Sequence, residues 1–205
     1  LLKPDATEAD IIRLCKNAIR YNFYSVCVNP YFVPLCKAVL EGYNTKVTTV
    51  IGFPLGASLK DVKVYEAKKA LNYGADELDV VINIASAKSG NWRYVEEEIS
   101  EIISATKKAI HKAIIETCYL SDKEKIIASE IAISSGARFI KTSTGFGIKG
   151  AEIKDVELIK RHIKDRAEIK ASGGIKTLSA VQRFIKAGAT RIGTSAGVDI
   201  VKDLM

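Results

Sequence analysis

Three charged residues lie on predicted strands at positions where burial of charge is unfavourable. Asp79 interrupts the apolar run Glu77–Asn83, and Lys141 and Lys170 occupy comparable places in two later β-branched runs. Successive side chains of a strand point to opposite faces, so each charge opposes the apolar residues beside it. If helices cover the apolar outer face of a curved sheet, all three charges point into its interior. A lysine buried there requires a partner or a chemical role.

Two neighbouring lysines indicate Schiff-base chemistry. Only a neutral amine attacks a carbonyl carbon, and a free lysine has a pKa near 10.4. Burial and a second ammonium both lower this pKa, and a shift of about three units requires roughly 4 kcal/mol, which a close ammonium can supply. Asp79 could move protons beside the amines. The spacing leaves open whether Lys141 or Lys170 is the nucleophile, and charges at strand ends in water remain the alternative.

Short β-branched runs alternate with helical periodicity along the chain, which predicts a parallel sheet covered by helices. The predicted strands are Tyr24–Asn29, Lys46–Gly52, Glu77–Asn83, Ala113–Cys118, Arg138–Thr142, Ile169–Ser172 and Thr190–Thr194. Leu1–Lys3 is predicted to be the remnant of one more strand, truncated at the N-terminus. Eight βα units of about 26 residues each indicate an α/β fold, a (β/α)8 TIM barrel forming a single domain over residues 1–205.

Helical periodicity places a helix after each predicted strand. The predicted helices are Glu8–Tyr21, Tyr31–Glu41, Ser58–Asn72, Tyr94–Ile110, Asp122–Ser135, Ile153–Lys164, Leu178–Ala187 and a segment from Ala196. Ser58, Asn91 and Thr177 are predicted N-caps, and Ser121 with Glu124 fits a capping box.

Glycine-rich segments follow the last two predicted strands, at Ser172–Lys176 and Gly193–Gly197. Glycines allow the backbone to approach an anion, and TIM barrels commonly bind phosphate at these two loops. Ordinary turns between strands and helices are the alternative. A third segment, Gly145–Gly150, has the Gly-x-Gly-x-x-Gly spacing of a dinucleotide-binding turn, but only 55 residues follow it. That is too short for the rest of a dinucleotide-binding fold, so we interpret it as an active-site loop.

The composition is that of an average globular protein with a basic balance. The chain carries 31 Lys and Arg against 24 Asp and Glu, a net charge of +7. Positive and negative residues are interspersed, which favours solvated helix faces over nucleic-acid binding. No apolar run approaches the ~20 residues of a membrane span. Four scattered cysteines and two histidines without ligand spacing argue against a metal site and favour the reducing cytoplasm.

Several ordered motifs together make the chain resemble the deoxyribose-phosphate aldolase family of class I aldolases. They extend from the N-terminal segment to the end of the chain: residues 1–7, 26–30, 51–56, 78–83, 88–92, 114–117, 141–146 and 170–174. The resemblance implies reversible cleavage of 2-deoxy-D-ribose 5-phosphate to D-glyceraldehyde 3-phosphate and acetaldehyde, as part of deoxyribonucleotide catabolism. The alternative within this chemistry is another Schiff-base sugar-phosphate aldolase.

The same resemblance assigns roles to individual residues. It implies that Lys141 forms the imine, that Lys170 lowers its pKa and assists proton transfer, and that Asp79 belongs to the proton relay. The implied phosphate-binding and substrate-binding residues are Thr142, Gly173, Gly174, Gly193, Thr194 and Ser195. The family uses no metal or organic cofactor and commonly forms homodimers or homotetramers. Glu116 is expected to bond to an interior lysine in a supporting role. Phe146 stands where some relatives carry a phosphate-binding lysine.

Overall fold

The computed structural model describes residues 1–204 and contains one parallel sheet. Its seven strands are β1 (Ser25–Val28), β2 (Lys46–Ile51), β3 (Glu77–Val81), β4 (Ile110–Ile114), β5 (Phe139–Lys141), β6 (Glu168–Ser172) and β7 (Arg191–Gly193). Each strand pairs with the next one along the chain, in the order β1 to β7. This is the topology expected when strands and helices alternate and every crossover turns the same way.

Helices connect consecutive strands along the outside of the sheet. Within residues 1–204 the α-helices are α1 (Glu8–Arg20), α2 (Val33–Val39), α3 (Lys60–Asn72), α4 (Ile84–Lys88), α5 (Trp92–Ala105), α6 (Asp122–Ser134), α7 (Ile153–Ile163), α8 (Leu178–Lys186) and α9 (Gly197–Lys202). Short 3₁₀ turns lie at Pro30–Phe32 and Thr117–Tyr119. None of these helices is long and apolar enough to cross a membrane.

Side-chain contacts between distant strands show that the sheet is strongly curled. Asp79 on β3 lies 2.7 Å from Lys170 on β6, and Glu77 on β3 lies 3.4 Å from Arg191 on β7. In a flat sheet, strands three places apart would be separated by about 14 Å. The sheet therefore folds around an interior into which these charged side chains point, as a barrel does.

The two edges of the curled sheet approach each other at β1 and β7. The guanidinium of Arg191 lies 3.8 Å from the ring centroid of Tyr24, which directly precedes β1. Leu1–Lys3, predicted as a strand remnant, is not a strand in the structure, although the Leu1 amino group donates a hydrogen bond to the Cys27 carbonyl. A cavity of about 430 Å³ lies along this seam.

The hydrophobic core lies between the outer face of the sheet and the helices. Five residues predicted to face outward are at most 3% exposed: Leu78, Val80, Ile140, Ile169 and Ala171. The first two belong to a cluster with α1, α2 and α3, and the other three pack with α6, α7 and α8. Because side chains alternate along each strand, this packing directs the charged residues of the same strands inward.

Local sequence signals explain most helix starts. Ser121 and Glu124 form the predicted capping box at α6, and the side chains of Asn91 and Thr177 cap α5 and α8 as predicted. The prediction for Ser58 is wrong, because α3 begins after Leu59 without a side-chain cap.

The prediction for the fourth strand is also wrong. We predicted Ala113–Cys118, whereas β4 spans Ile110–Ile114 and α5 already ends at Ala105. The error arose because His111 and Lys112 are polar and were assigned outside the strand, although both are buried. The shift of the strand places one more lysine inside the sheet.

Candidate active site

Asp79 lies at the centre of the charged interior and binds both predicted lysines through one oxygen. Its Oδ2 accepts hydrogen bonds from Lys141 Nζ at 2.8 Å and from Lys170 Nζ at 2.7 Å. Lys141 and Lys170 are register partners on the neighbouring strands β5 and β6, which brings their amines to the same level. Asp79 is fully buried, and the lysines are 3% and 5% exposed. The structure therefore brings together the three residues that the sequence selected.

The two lysines differ in pKa although they share a carboxylate. Burial lowers the pKa of Lys141, Asp79 opposes this effect, and the Lys170 ammonium lowers the pKa further, so it ends below the usual value. Burial also acts to lower the pKa of Lys170, but Asp79 outweighs it with help from Cys27 and Glu77, and the pKa is raised. Lys141 is therefore the better candidate for a neutral amine, and Lys170 for the retained ammonium.

The carboxylate itself is held in its ionised form. Burial alone would raise the pKa of Asp79, but the surrounding cations Lys112, Lys141 and Lys170 hold it well below its usual range. Asp79 is thus an acceptor of hydrogen bonds throughout the neutral pH range.

Lys112 is the member of the cluster that the sequence analysis missed. Its fully buried Nζ donates to Oδ1 of Asp79 at 2.8 Å and to Oε2 of Glu77 at 2.6 Å. The strand β4 places Lys112 opposite Asp79 in register. The local sequence contains no signal for it, because Lys112 shares its strand face with the apolar Ile110 and Ile114.

A second polar layer, centred on Glu77, lies nearer to the N-terminal ends of the strands and supports the site. Oε2 of Glu77 accepts a hydrogen bond from Thr48 Oγ1 at 2.8 Å, and Arg191 Nη1 lies 3.4 Å from the same oxygen. The Arg191 guanidinium and Lys112 Nζ lie 5.1 and 5.7 Å from the ring centroid of Phe139. These contacts fix Glu77 and Lys112 before any substrate is present.

The predicted phosphate-binding residues lie in the loops after β6 and β7. Gly173 and Gly174 have φ angles of +95° and +78°, a conformation that glycine adopts without strain. A Cβ at Gly193 would lie 2.9 Å from the Cβ of Ser172, so only glycine fits there. Thr194 Oγ1 donates to the carbonyl of Ile175 at 2.6 Å and thereby joins the two loops.

The seam cavity connects the loop after β7 to one of the two lysines. Lys170, Gly193, Thr194 and Ser195 all line it, so Lys170 and the loop after β7 share one space. Thr142 is placed differently: its hydroxyl exchanges hydrogen bonds of 3.2 Å with the backbone of Ser172. Thr142 therefore joins β5 to the end of β6, and its role toward substrate stays a prediction.

Glu116 does not contact an interior lysine, and that expectation is wrong. Its Oε2 accepts hydrogen bonds from the backbone N–H and the hydroxyl of Thr144, in the loop that follows β5. The reason is that β4 ends at Ile114, two residues earlier, so Glu116 lies at the mouth of the sheet beyond the level of the lysines.

Comparison with known proteins identifies the family to which this arrangement belongs. A family model described as DeoC/LacD family aldolase matches residues 1–203. The chain belongs to this aldolase family. The deoxyribose-phosphate aldolase of Coprothermobacter proteolyticus is 52% identical over 204 residues, covering 100% of this chain and 93% of the relative. The family membership predicted from the motifs is confirmed.

Solved structures agree with the fold. The aldolase QR15 superposes with a TM-score of 0.96 at 45% identity, covering 100% of this chain and 91% of that chain. The tetrameric deoxyribose phosphate aldolase from Aeropyrum pernix superposes with a TM-score of 0.93 at 34% identity, covering 100% of this chain and 87% of that chain. The predicted α/β (β/α)8 barrel fold is confirmed.

Proposed function

We propose that the chain reversibly cleaves 2-deoxy-D-ribose 5-phosphate to D-glyceraldehyde 3-phosphate and acetaldehyde, with Lys141 as the Schiff-base nucleophile. One observation carries this assignment: two buried lysines share Asp79, and their pKa values are shifted in opposite directions. One amine can thus attack a carbonyl while the other keeps a proton to donate. Kinship with curated deoxyribose-phosphate aldolases supports the choice of substrate.

The proposed reaction begins when the neutral Nζ of Lys141 attacks C1 of the open-chain sugar. The carbinolamine loses water to form an iminium, with the proton for the departing hydroxyl coming from the Lys170 ammonium. Removal of the C3 hydroxyl proton by the Lys170–Asp79 pair breaks the C2–C3 bond, and its electrons enter the iminium to give an enamine. Glyceraldehyde 3-phosphate leaves, C2 is protonated, and hydrolysis releases acetaldehyde and Lys141.

Phosphate recognition is proposed for the loops after β6 and β7. Gly173 and Gly174 allow the backbone N–H groups of the first loop to approach an anion, and Thr194 and Ser195 supply polar groups from the second. Since Lys170 lines the same cavity, a phosphate there would hold the sugar with its other end near the lysines.

We extend the proposal to cofactors, oligomeric state and cellular location. We infer that the enzyme needs no metal or organic cofactor, because the lysine itself provides the electron sink. We also infer a homodimer or homotetramer in the cytoplasm, in line with the tetrameric relative from Aeropyrum pernix. Exposed aromatic side chains at Tyr31, Tyr65 and Tyr73 supply apolar surface for such contacts.

The deciding experiment combines turnover with covalent trapping. Wild-type protein is expected to form glyceraldehyde 3-phosphate from deoxyribose 5-phosphate equally well with and without EDTA. Borohydride added with acetaldehyde should leave an ethyl group on the peptide that contains Lys141, and Lys141→Met should abolish both signals. The matched control is Lys154→Met, an exposed lysine on α7, which should retain both. Labelling of Lys170 instead, or loss of turnover in EDTA, would refute the mechanism.

A further inference from the structure

Glu116 combines two unusual features just beyond β4. Its backbone lies in the left-handed region, at φ 49° and ψ 69°, which a glutamate rarely adopts. The residue is also 1% exposed. A strained backbone is maintained only where the surroundings determine it, and such strain concentrates at functional sites. The partners of the Glu116 side chain are therefore informative.

The carboxylate organises the start of the loop that follows the Schiff-base lysine. Oε2 of Glu116 accepts a bond of 3.1 Å from Thr144 N and a second bond from Thr144 Oγ1. The same hydroxyl oxygen accepts a bond of 3.0 Å from Phe146 N. Backbone bonds Ile115 N to Lys141 O and Thr117 N to Thr142 O align the two segments. Glu116 thus fixes the chain three to five residues beyond Lys141.

The next part of the loop is shaped to rest on the same carboxylate. A Cβ on Gly147 would lie 2.9 Å from Cys118 Sγ and 3.2 Å from Oε1 of Glu116. A side chain at this position would therefore displace Cys118 or the Glu116 carboxylate. Above it, the ring of Phe146 meets the ring of Phe53 edge to face, with centroids 5.3 Å apart, across the mouth of the sheet.

The far end of the loop contacts the proposed phosphate-binding loop. A Cβ on Gly150 would lie 2.2 Å from the carbonyl oxygen of Gly173, and Ala151 N donates to this oxygen at 3.0 Å. The segment from Thr144 to Gly150, here called the clasp loop, is thus held by Glu116 at one end and by Gly173 at the other.

We propose that Glu116 is a positioning residue that sets the clasp loop and, through Gly150, the conformation of the phosphate-binding loop at Gly173. This inference rests on the proposed function, because it assumes that the phosphate of the sugar binds near Gly173. Imine formation and binding of the phosphorylated sugar then depend on different residues. Lys141 forms the imine without help from Glu116, whereas tight binding of the phosphorylated sugar depends on Glu116.

Three substitutions separate the carboxylate from the backbone strain. Glu116→Gln keeps an oxygen that can accept both Thr144 donors, Glu116→Ala removes the acceptor, and Glu116→Gly removes it while accommodating the left-handed backbone. We expect E116A and E116G to raise KM for deoxyribose 5-phosphate about tenfold or more, with a smaller change in kcat, and E116Q to stay within about threefold of wild type. Borohydride trapping of acetaldehyde on Lys141 should proceed at the wild-type rate in all three variants.

The proposal is overturned by several results. Full activity in E116G would assign the effect to backbone strain alone. A loss of acetaldehyde trapping parallel to the loss of sugar-phosphate turnover in soluble E116A would show that Glu116 acts on the lysines or on the fold. Unchanged KM in E116A would also contradict it.

A readout without substrate distinguishes failure of this inference from failure of the proposed function. The Lys149 side chain is exposed within the clasp loop, so trypsin can report its order. Cleavage after Lys149 is expected to accelerate in E116A and E116G but not in E116Q. If the wild type does not cleave deoxyribose 5-phosphate while this protease pattern holds, the substrate assignment is wrong and the role of Glu116 stands. Equal cleavage in all variants would refute the role itself.

Discussion

Replacement of Lys170 by methionine tests whether its ammonium keeps Lys141 uncharged. Both amines bond to Oδ2 of Asp79, at 2.8 and 2.7 Å. Their Nζ atoms are therefore at most about 5.5 Å apart, and at an effective dielectric constant near 20 two unit charges at that distance repel by about 3 kcal/mol. This energy corresponds to about a hundredfold change in the ratio of neutral to charged Lys141. Since Asp79 raises the pKa of Lys141 and Lys170 lowers it, K170M should raise that pKa.

The assay follows reductive ethylation of Lys141 by acetaldehyde and cyanoborohydride as a function of pH. Only neutral Lys141 reacts, so the rate falls as the pH decreases through its pKa. In K170M the whole profile should move to higher pH, which lowers the rate at neutral pH about a hundredfold. The plateau in base should also fall, because the Lys170 ammonium no longer protonates the departing hydroxyl of the carbinolamine. The variant should fold, since Asp79 keeps Lys112 and Lys141 as partners.

Ser172→Ala is the matched control. Ser172 lies two residues further along β6 on the same face as Lys170, and its substitution changes no charge. Its profile should coincide with that of the wild type. An unshifted profile in K170M, or a shift to lower pH, would contradict the assignment of Lys170 as the group that lowers the pKa of Lys141. A lower plateau with an unshifted midpoint would assign Lys170 to proton transfer alone.

Two further predictions concern stability. Lys112→Met leaves Asp79 Oδ1 and Glu77 Oε2 without their buried cation, so urea unfolding should show a loss of about 3 kcal/mol or more, partly recovered in K112M with Glu77→Gln. Burial lowers the pKa of His111 to about 4. The histidine of the unfolded chain therefore binds a proton at a higher pH than the histidine of the folded chain. The free energy of unfolding should fall as the pH decreases from about 6.5 toward 4, by up to roughly 3 kcal/mol. His111→Gln should remove this pH-dependent part of the stability, whereas the surface variant His162→Gln should retain it. Equal slopes of unfolding free energy against pH in the two variants would disprove the assignment to His111.

The fold was predictable because its signals are redundant. Alternation of strands and helices recurs along the chain, so an error in one element does not change the architecture. The buried cluster of Asp79, Lys141 and Lys170 was predictable for a related reason: each lies within a strand whose apolar neighbours define the outward face. The alternation of side chains along a strand then shows which residues point inward, without any knowledge of distances.

The parts that could not be predicted depend on contacts between distant residues. Lys112 is compatible with a buried strand only because Glu77 and Asp79 surround it, and no local property of residues 110–114 reveals those partners. Glu116 was assigned to the lysines because the end of β4 was misplaced. Its true partner, Thr144, lies 28 residues away and depends on the three-dimensional course of the next loop.

Asp79 holds both amines at nearly the same distance from one oxygen and raises the pKa of both, so it does not by itself account for their opposite shifts. The asymmetry has to arise in the surroundings. Beyond Asp79, both Cys27 and Glu77 raise the pKa of Lys170, and the ammonium thus stabilised lowers the pKa of Lys141. Glu77 is itself held by Lys112 and Thr48. The buried contacts that hold Glu77 therefore contribute to the opposite pKa shifts on which the proposed mechanism rests.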